Sequence, residues 1–205
     1  MSSSAVNVTV ASGSTPYVPL ADNLYYEPLI VLTNQSHWAE FHAHANEMML
    51  NKRGRELFPK LEIGFENLQK EALYCVSVRL FRSNGNKYVY KNGRWAVKEE
   101  EQEEEVSTGT YTNEVVFVPM LGSELAKGAL KKKMEAVKIF NVGARGEERT
   151  MAVEEQMMDQ ILVESQCKYA PVITLKKLNE ATMRFEFLGE ACFLETEFVT
   201  VTGYK

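Results

Sequence analysis

From Leu61 onward the chain alternates apolar residues with polar or small ones. Leu61, Ile63 and Phe65 follow a period of two, and Tyr74, Val76, Val78 and Leu80 alternate with Cys75, Ser77 and Arg79. This period places one face of a strand against a core and the other toward solvent. Tyr88-Val89-Tyr90 and Trp95-Ala96-Val97 flank Asn92-Gly93, a pair suited to a two-residue hairpin turn because both positions require positive φ. Ser83-Asn84-Gly85-Asn86 reads as a further turn, and segments 115–118, 136–140, 172–178, 183–188 and 198–202 as further strands. Segments 123–133 and 151–162 are compatible with helix instead. Upstream, Ser36 is placed to cap a short helix presenting Trp38, Phe41 and Ala45 at spacings of three and four. Gly54 and Pro59 then interrupt the pattern. Many short strands with few helical stretches predict an antiparallel β-sandwich. Trp38, Phe41, Phe58, Tyr74, Trp95, Tyr169 and Phe198 are its expected core aromatics. Residues 1–23 lack periodicity and read as a flexible tail, leaving 24–205 as one domain.

A length of 205 residues is enough for such a core to form without metal or disulfide. Three cysteines, Cys75, Cys167 and Cys192, are odd in number and lack metal-ligand spacing, which suits reduced thiols. No basic, apolar leader opens the chain, and no apolar run approaches the ~20 residues of a membrane span. The Asn7 and Asn34 glycosylation sequons are then chance matches. Charge changes the picture more. The net charge is −5, but six carboxylates crowd residues 99–105. Without those six the net becomes +1, so a near-neutral domain carries one solvated acidic loop.

Candidate chemistry is sparse. His37, His42 and His44 are clustered, but His42 and His44 stand two apart and do not share a helix face. No CxxC or HExxH pattern accompanies them. Gly122 to Gly128 lacks the Gly-Lys-Ser/Thr ending of a phosphate loop. The carboxylates lie mostly in the acidic run, solvated rather than tuned. The expectation is a protein without catalytic site, metal or cofactor.

Three segments resemble the T-box DNA-binding family. Trp38-Ala39-Glu40-Phe41 followed by Asn46-Glu47-Met48-Met49-Leu50-Asn51-Lys52-Arg53-Gly54-Arg55-Glu56-Leu57-Phe58-Pro59 is similar to the family's W-x-x-F and N/T-E-M-I-I/V-T-K-x-G-R-R-M-F-P. Lys168-Tyr169-Ala170-Pro171-Val172-Ile173 resembles H-K-Y-x-P-R-I, and Phe193 to Tyr204 resembles F-P-E-T-x-F-I-A-V-T-A-Y. The resemblance implies an all-β, immunoglobulin-like antiparallel sandwich with a few short helices. It also implies a nuclear transcription factor that binds double-stranded DNA elements related to TCACACC, as a monomer or weak dimer, with co-regulators as possible further partners. By the same resemblance Arg55 reads guanine, where its guanidinium fork matches O6 and N7. Lys52, Lys138, Asn141 and Lys168 fall at family positions that meet the DNA backbone, contacts that orient without reading sequence. Lys127, Lys131, Lys132, Lys133 and Lys138, with Glu135 the one carboxylate among them, form a basic cluster that suits phosphates or a solvated helix face.

The departures are specific. Glu56 replaces the family's second arginine, Cys167 its histidine and Val172 the arginine after its proline. The family's H-P-D-S-P and W-M segment is not recognisable around Val118-Pro119. The sequence ends at Lys205, before the family's C-terminal helix that enters the minor groove, which with the acidic run implies weak DNA binding. These departures also suit a different role, a degenerate T-box scaffold that binds other regulatory proteins.

Overall fold

The computed structural model describes residues 28–51, 53–98, 110–141 and 160–202. The chain order is β1 (Leu29–Leu32), α1 (Gln35–His42), β2 (Glu47–Met49), β3 (Arg55–Glu56), β4 (Ile63–Glu66), β5 (Leu73–Arg82), β6 (Tyr88–Lys91) and β7 (Arg94–Val97). It continues through β8 (Val115–Val116), β9 (Met120–Leu121), α2 (Gly122–Ala126), α3 (Lys131–Glu135), β10 (Lys138–Asn141), β11 (Gln160–Val163), β12 (Lys168–Asn179), β13 (Arg184–Cys192), a 3-10 turn (Leu194–Thr196) and β14 (Phe198–Val201). The result is an all-β fold of the immunoglobulin-like sandwich type.

The largest sheet runs β2-β14-β12-β5-β8, with β13 on the flank of β12 and β9 on β5. The central β5–β12 pair shows how the alternation acts. Val76 faces Leu175 and Val78 faces Ile173 across the ladder, and all four are buried. On the reverse face Ser77 meets Thr174 and Arg79 meets Val172. There the Arg79 guanidinium binds Glu190 at 2.8 Å and lies 3.7 Å from the Tyr111 ring centroid. A second sheet, β11-β10-β3, carries Ile139 and Ile161 fully buried. The β1–β4 and β6–β7 pairs are separate antiparallel ribbons. The β6–β7 turn has Asn92 at φ 53° and Gly93 at φ 77°, the left-handed pair expected of Asn-Gly. Two strand pairs, β10–β11 and β14–β2, are parallel, so the sheets are mixed rather than purely antiparallel.

Several sequence expectations need correction. The helix N-cap is Asn34, and Ser36 lies inside α1. The Asn34 backbone carbonyl accepts from Trp38, while its side-chain amide donates to the Lys60 carbonyl at 2.8 Å. The helix therefore starts earlier, at a residue tied to the core by its side chain. It also ends at His42, and Ala45 turns away at φ 60°. Trp38, Tyr74, Tyr169 and Phe198 are buried as expected, but Phe41 is 37% and Phe58 51% exposed. These two rings stack edge to face with each other and with His37, forming a small surface cluster. Trp95 is only half-buried because its indole N–H reaches out to Glu47 at 2.9 Å. Segment 123–133 holds two helices, α2 and α3, interrupted at Gly128, which adopts φ 78°. Of segment 151–162, residues 160–162 belong to strand β11, paired with β10. The remainder, like the tail 1–23 and the acidic run 99–105, lies outside the described residues.

Candidate nucleic-acid interface

Arg55 is held out from the protein by a short, tightly built turn. The Asn51 side-chain oxygen accepts from the Arg53 N–H at 3.0 Å, and its carbonyl accepts from the Gly54 N–H at 3.3 Å. Gly54 sits at φ 74°, and a Cβ there would fall within the Phe140 ring. Glycine is thus required twice, for the backbone conformation and for the approach of that ring. Arg55 and Glu56 then form β3, pairing antiparallel with Ile139 and Lys138. Buried Ile139 and Leu57 anchor the two sides of this pair, while Arg55, Glu56 and Lys138 are exposed.

Beside this strand pair lies an open depression of about 370 Å³, lined by Gly54, Arg55, Glu56, Leu57, Phe58, Lys60 and Lys138. Its charge is mixed. Glu56 lies opposite Lys138 in register and pairs with Lys60 at 3.3 Å, and Lys60 also reaches Glu135 at 3.6 Å. Three cations, Arg55, Lys60 and Lys138, and one carboxylate, Glu56, are among the lining residues. The planar guanidinium of Arg55 is the group here suited to a two-point acceptor such as a guanine edge.

The other expected contacts are distributed unevenly. Lys138 shares the depression with Arg55. Asn141 ends the same strand, in register with Val163 of β11. Lys52 lies outside the described residues. Lys168 is in the large sheet instead, with its ammonium 2.9 Å from Glu197 and 5.5 Å from the Tyr88 ring centroid. Within the basic cluster Lys127, Lys131, Lys132 and Lys133 are all exposed, and Lys131 binds Glu62 at 2.9 Å. Sequence reasoning overlooked Lys60 and placed Phe58 in the core. No local signal marks the former, because Glu56 lies on a strand and Lys60 in the loop that follows it.

A second polar cluster supports the fold at the base of the Ser83–Asn86 turn. Arg82 is buried and donates to the carbonyls of Asn84 and Gly85. Glu164 joins Lys87 at 2.5 Å and Arg82 at 3.4 Å. The Lys87 ammonium, above all through its hydrogen bond, holds the Glu164 carboxyl below the usual range. Burial pushes the nearby Cys167 thiol up, and it pushes the Cys192 thiol up to about 11.

The T-box family profile matches residues 30–205. The chain belongs to the T-box family. It is 32% identical over 182 residues to T-box transcription factor 18 of Caenorhabditis elegans, covering 86% of this chain and 47% of that protein. It is 26% identical over 179 residues to T-box transcription factor T of Halocynthia roretzi, covering 87% and 35%. It is 26% identical over 207 residues to T-box transcription factor T homolog 2 of Branchiostoma floridae, covering 98% and 41%. The chain thus spans less than half the length of each. All three carry the names of transcription factors. On this T-box fold the three motif segments build α1 through β3, the start of β12, and the 3-10 turn with β14. They meet in space: β12 pairs with β14, and β14 with β2. Asn46, buried just before β2, donates to the Glu195 and Glu197 carbonyls and ties the first segment to the third.

Proposed function

We propose that this T-box chain is a sequence-specific DNA-binding transcription factor acting in the nucleus on TCACACC-like elements. The observation carrying the reading is the presentation of Arg55. It stands exposed on a two-residue strand whose flanks, Gly54 against Phe140 and Leu57 in the core, fix its backbone. The fixed backbone sets where the side chain starts, and the guanidinium fork matches guanine O6 and N7 in the major groove. Lys138 beside it supplies phosphate attraction without base preference, and Lys60 does so on exchanging Glu56 and Glu135 for a phosphate. Asn141, Lys52 and Lys168 are assigned to the DNA backbone by family position. Lys168 must exchange Glu197 for a phosphate to serve there.

A second reading, a T-box scaffold for other regulatory proteins, is favoured by Glu56. That carboxylate stands where the family has arginine and already pairs with Lys60, lowering the positive charge at the site. Titration of a TCACACC duplex and a scrambled duplex separates the two. Tighter binding to the first, weakening with salt in proportion to a few phosphates, supports DNA reading. Equal, weak binding to both duplexes favours the scaffold.

A further inference from the structure

Strand β13 pairs with β12 on one side, and among the described residues no strand pairs with its other side. Such an edge offers backbone donors and acceptors to an added strand. Residues 184–187 of β13 run in unbroken register with 176–179, and the register shifts only between Leu175 and Lys176. Along this stretch both faces are solvent-exposed. Phe185 is 37% and Phe187 59% exposed on one face, with Met183 at 72% in the adjoining turn. Arg184 and Glu186 occupy the other face. Natural edges are commonly guarded by charged side chains, especially lysine, by proline or by bulges. At 184–187 there is neither lysine nor proline, the irregularity lies beyond Phe187, and the two charges are opposite in sign, so that they can pair across a two-fold axis.

We propose that this edge receives a second copy of the chain, whose β13 adds antiparallel across a two-fold axis. The charges select the register. Paired residues share a face, so an axis normal to the sheet must centre on one residue and its copy. Centring on Arg184 or on Glu186 opposes like charges. Centring on Phe187 drives the ladder into the irregular stretch beyond it. Centring on Phe185 keeps the ladder within 184–186, sets Arg184 of each copy against Glu186 of the other and joins the two Phe185 rings, with Phe187 left alongside the turn at Met183 (φ 54°). Glu186 uses one oxygen, Oε1, to accept from Asn179 at 2.7 Å, and Lys177 across the hairpin is engaged with Gln69 at 2.7 Å. The proposal does not depend on whether the chain reads DNA.

Sedimentation equilibrium of the chain over rising concentration tests it. The wild type should shift from monomer to dimer mass. Arg184→Glu and Glu186→Arg each place like charges opposite one another twice, and should weaken dimerisation by about tenfold or more. Mixed in equal amounts, the two variants should associate again, because both cross-strand pairs become attractive. Circular dichroism checks folding, and Phe185→Thr, a strand-compatible change, tests the same contact should a charge variant fail to fold. A wild type that stays monomeric, a dimer indifferent to all three substitutions, or charge variants that do not associate on mixing would each overturn the proposal.

Discussion

Gly54→Ala should destabilise the protein more than the same change at any other left-handed glycine described. A residue with a Cβ in the left-handed region costs about 1–2 kcal/mol. Gly54 has φ 74°, so this cost applies. The new methyl would also occupy the space of the Phe140 ring, and overpacking of this kind costs about 1–3 kcal/mol. The expected total is about 2–5 kcal/mol, a large share of the ~5–15 kcal/mol that stabilises a typical domain. Gly93 provides the control, with φ 77° and nothing within 4 Å of an added Cβ. Gly93→Ala should show the backbone cost alone, about 1–2 kcal/mol. Urea denaturation measures both, read as shifts in midpoint at constant slope. Phe140→Leu added to Gly54→Ala should recover part of the difference. Equal losses from Gly54→Ala and Gly93→Ala would refute the claim that Phe140 constrains the turn carrying Arg55.

Other expectations follow from burial and charge. Trp38→Ala, at a fully buried indole that donates to the Lys60 carbonyl, should cost about 3–5 kcal/mol, and half-exposed Phe58→Ala about half of that or less. Equal urea midpoints for the two variants would contradict this division between core and surface cluster. Glu164 has a folded pKa below its ordinary 4.5, so its stabilising contribution is complete above that value and disappears as pH falls through the lowered folded value. Glu164→Gln should therefore flatten the acid limb of the stability–pH curve, whereas an unchanged limb would show that the Lys87 pair does not contribute there. With its thiol pushed to about 11, Cys192 should react slowly with iodoacetamide at neutral pH in the native protein and rapidly once unfolded. Rapid native labelling would contradict the raised pKa of this half-buried thiol.

The sheets were legible where one face is buried and the other is not. In β5, Val76, Val78 and Leu80 alternate with more exposed or polar neighbours, and the period alone reveals the core face. The Asn92-Gly93 hairpin was equally clear because its turn chemistry is local. Phe41 and Phe58 misled because composition cannot distinguish rings packed on a core from rings packed on each other at the surface. The parallel β10–β11 pair was invisible for a related reason. Parallel pairing joins distant segments and has no turn signature, and 160–162 follows a stretch with helical periodicity. Arg55 was found by motif. Its setting was not, since the contact between Gly54 and Phe140 spans distant parts of the sequence. The Glu56–Lys60 pair, which tempers charge at the same place, also became clear only in the fold.

Reading of DNA by this chain rests on contact between Arg55 and a guanine. The direct test is binding of wild type, Arg55→Ala and Arg55→Lys to TCACACC duplexes in which each base pair is replaced in turn. Arg55→Ala should lose about 1–3 kcal/mol on the intact element and become indifferent to replacement of one G·C pair, while keeping its preferences elsewhere. Arg55→Lys should recover affinity only in part, because lysine lacks the two-point fork. Base preferences unchanged by Arg55→Ala at every position would contradict the claim.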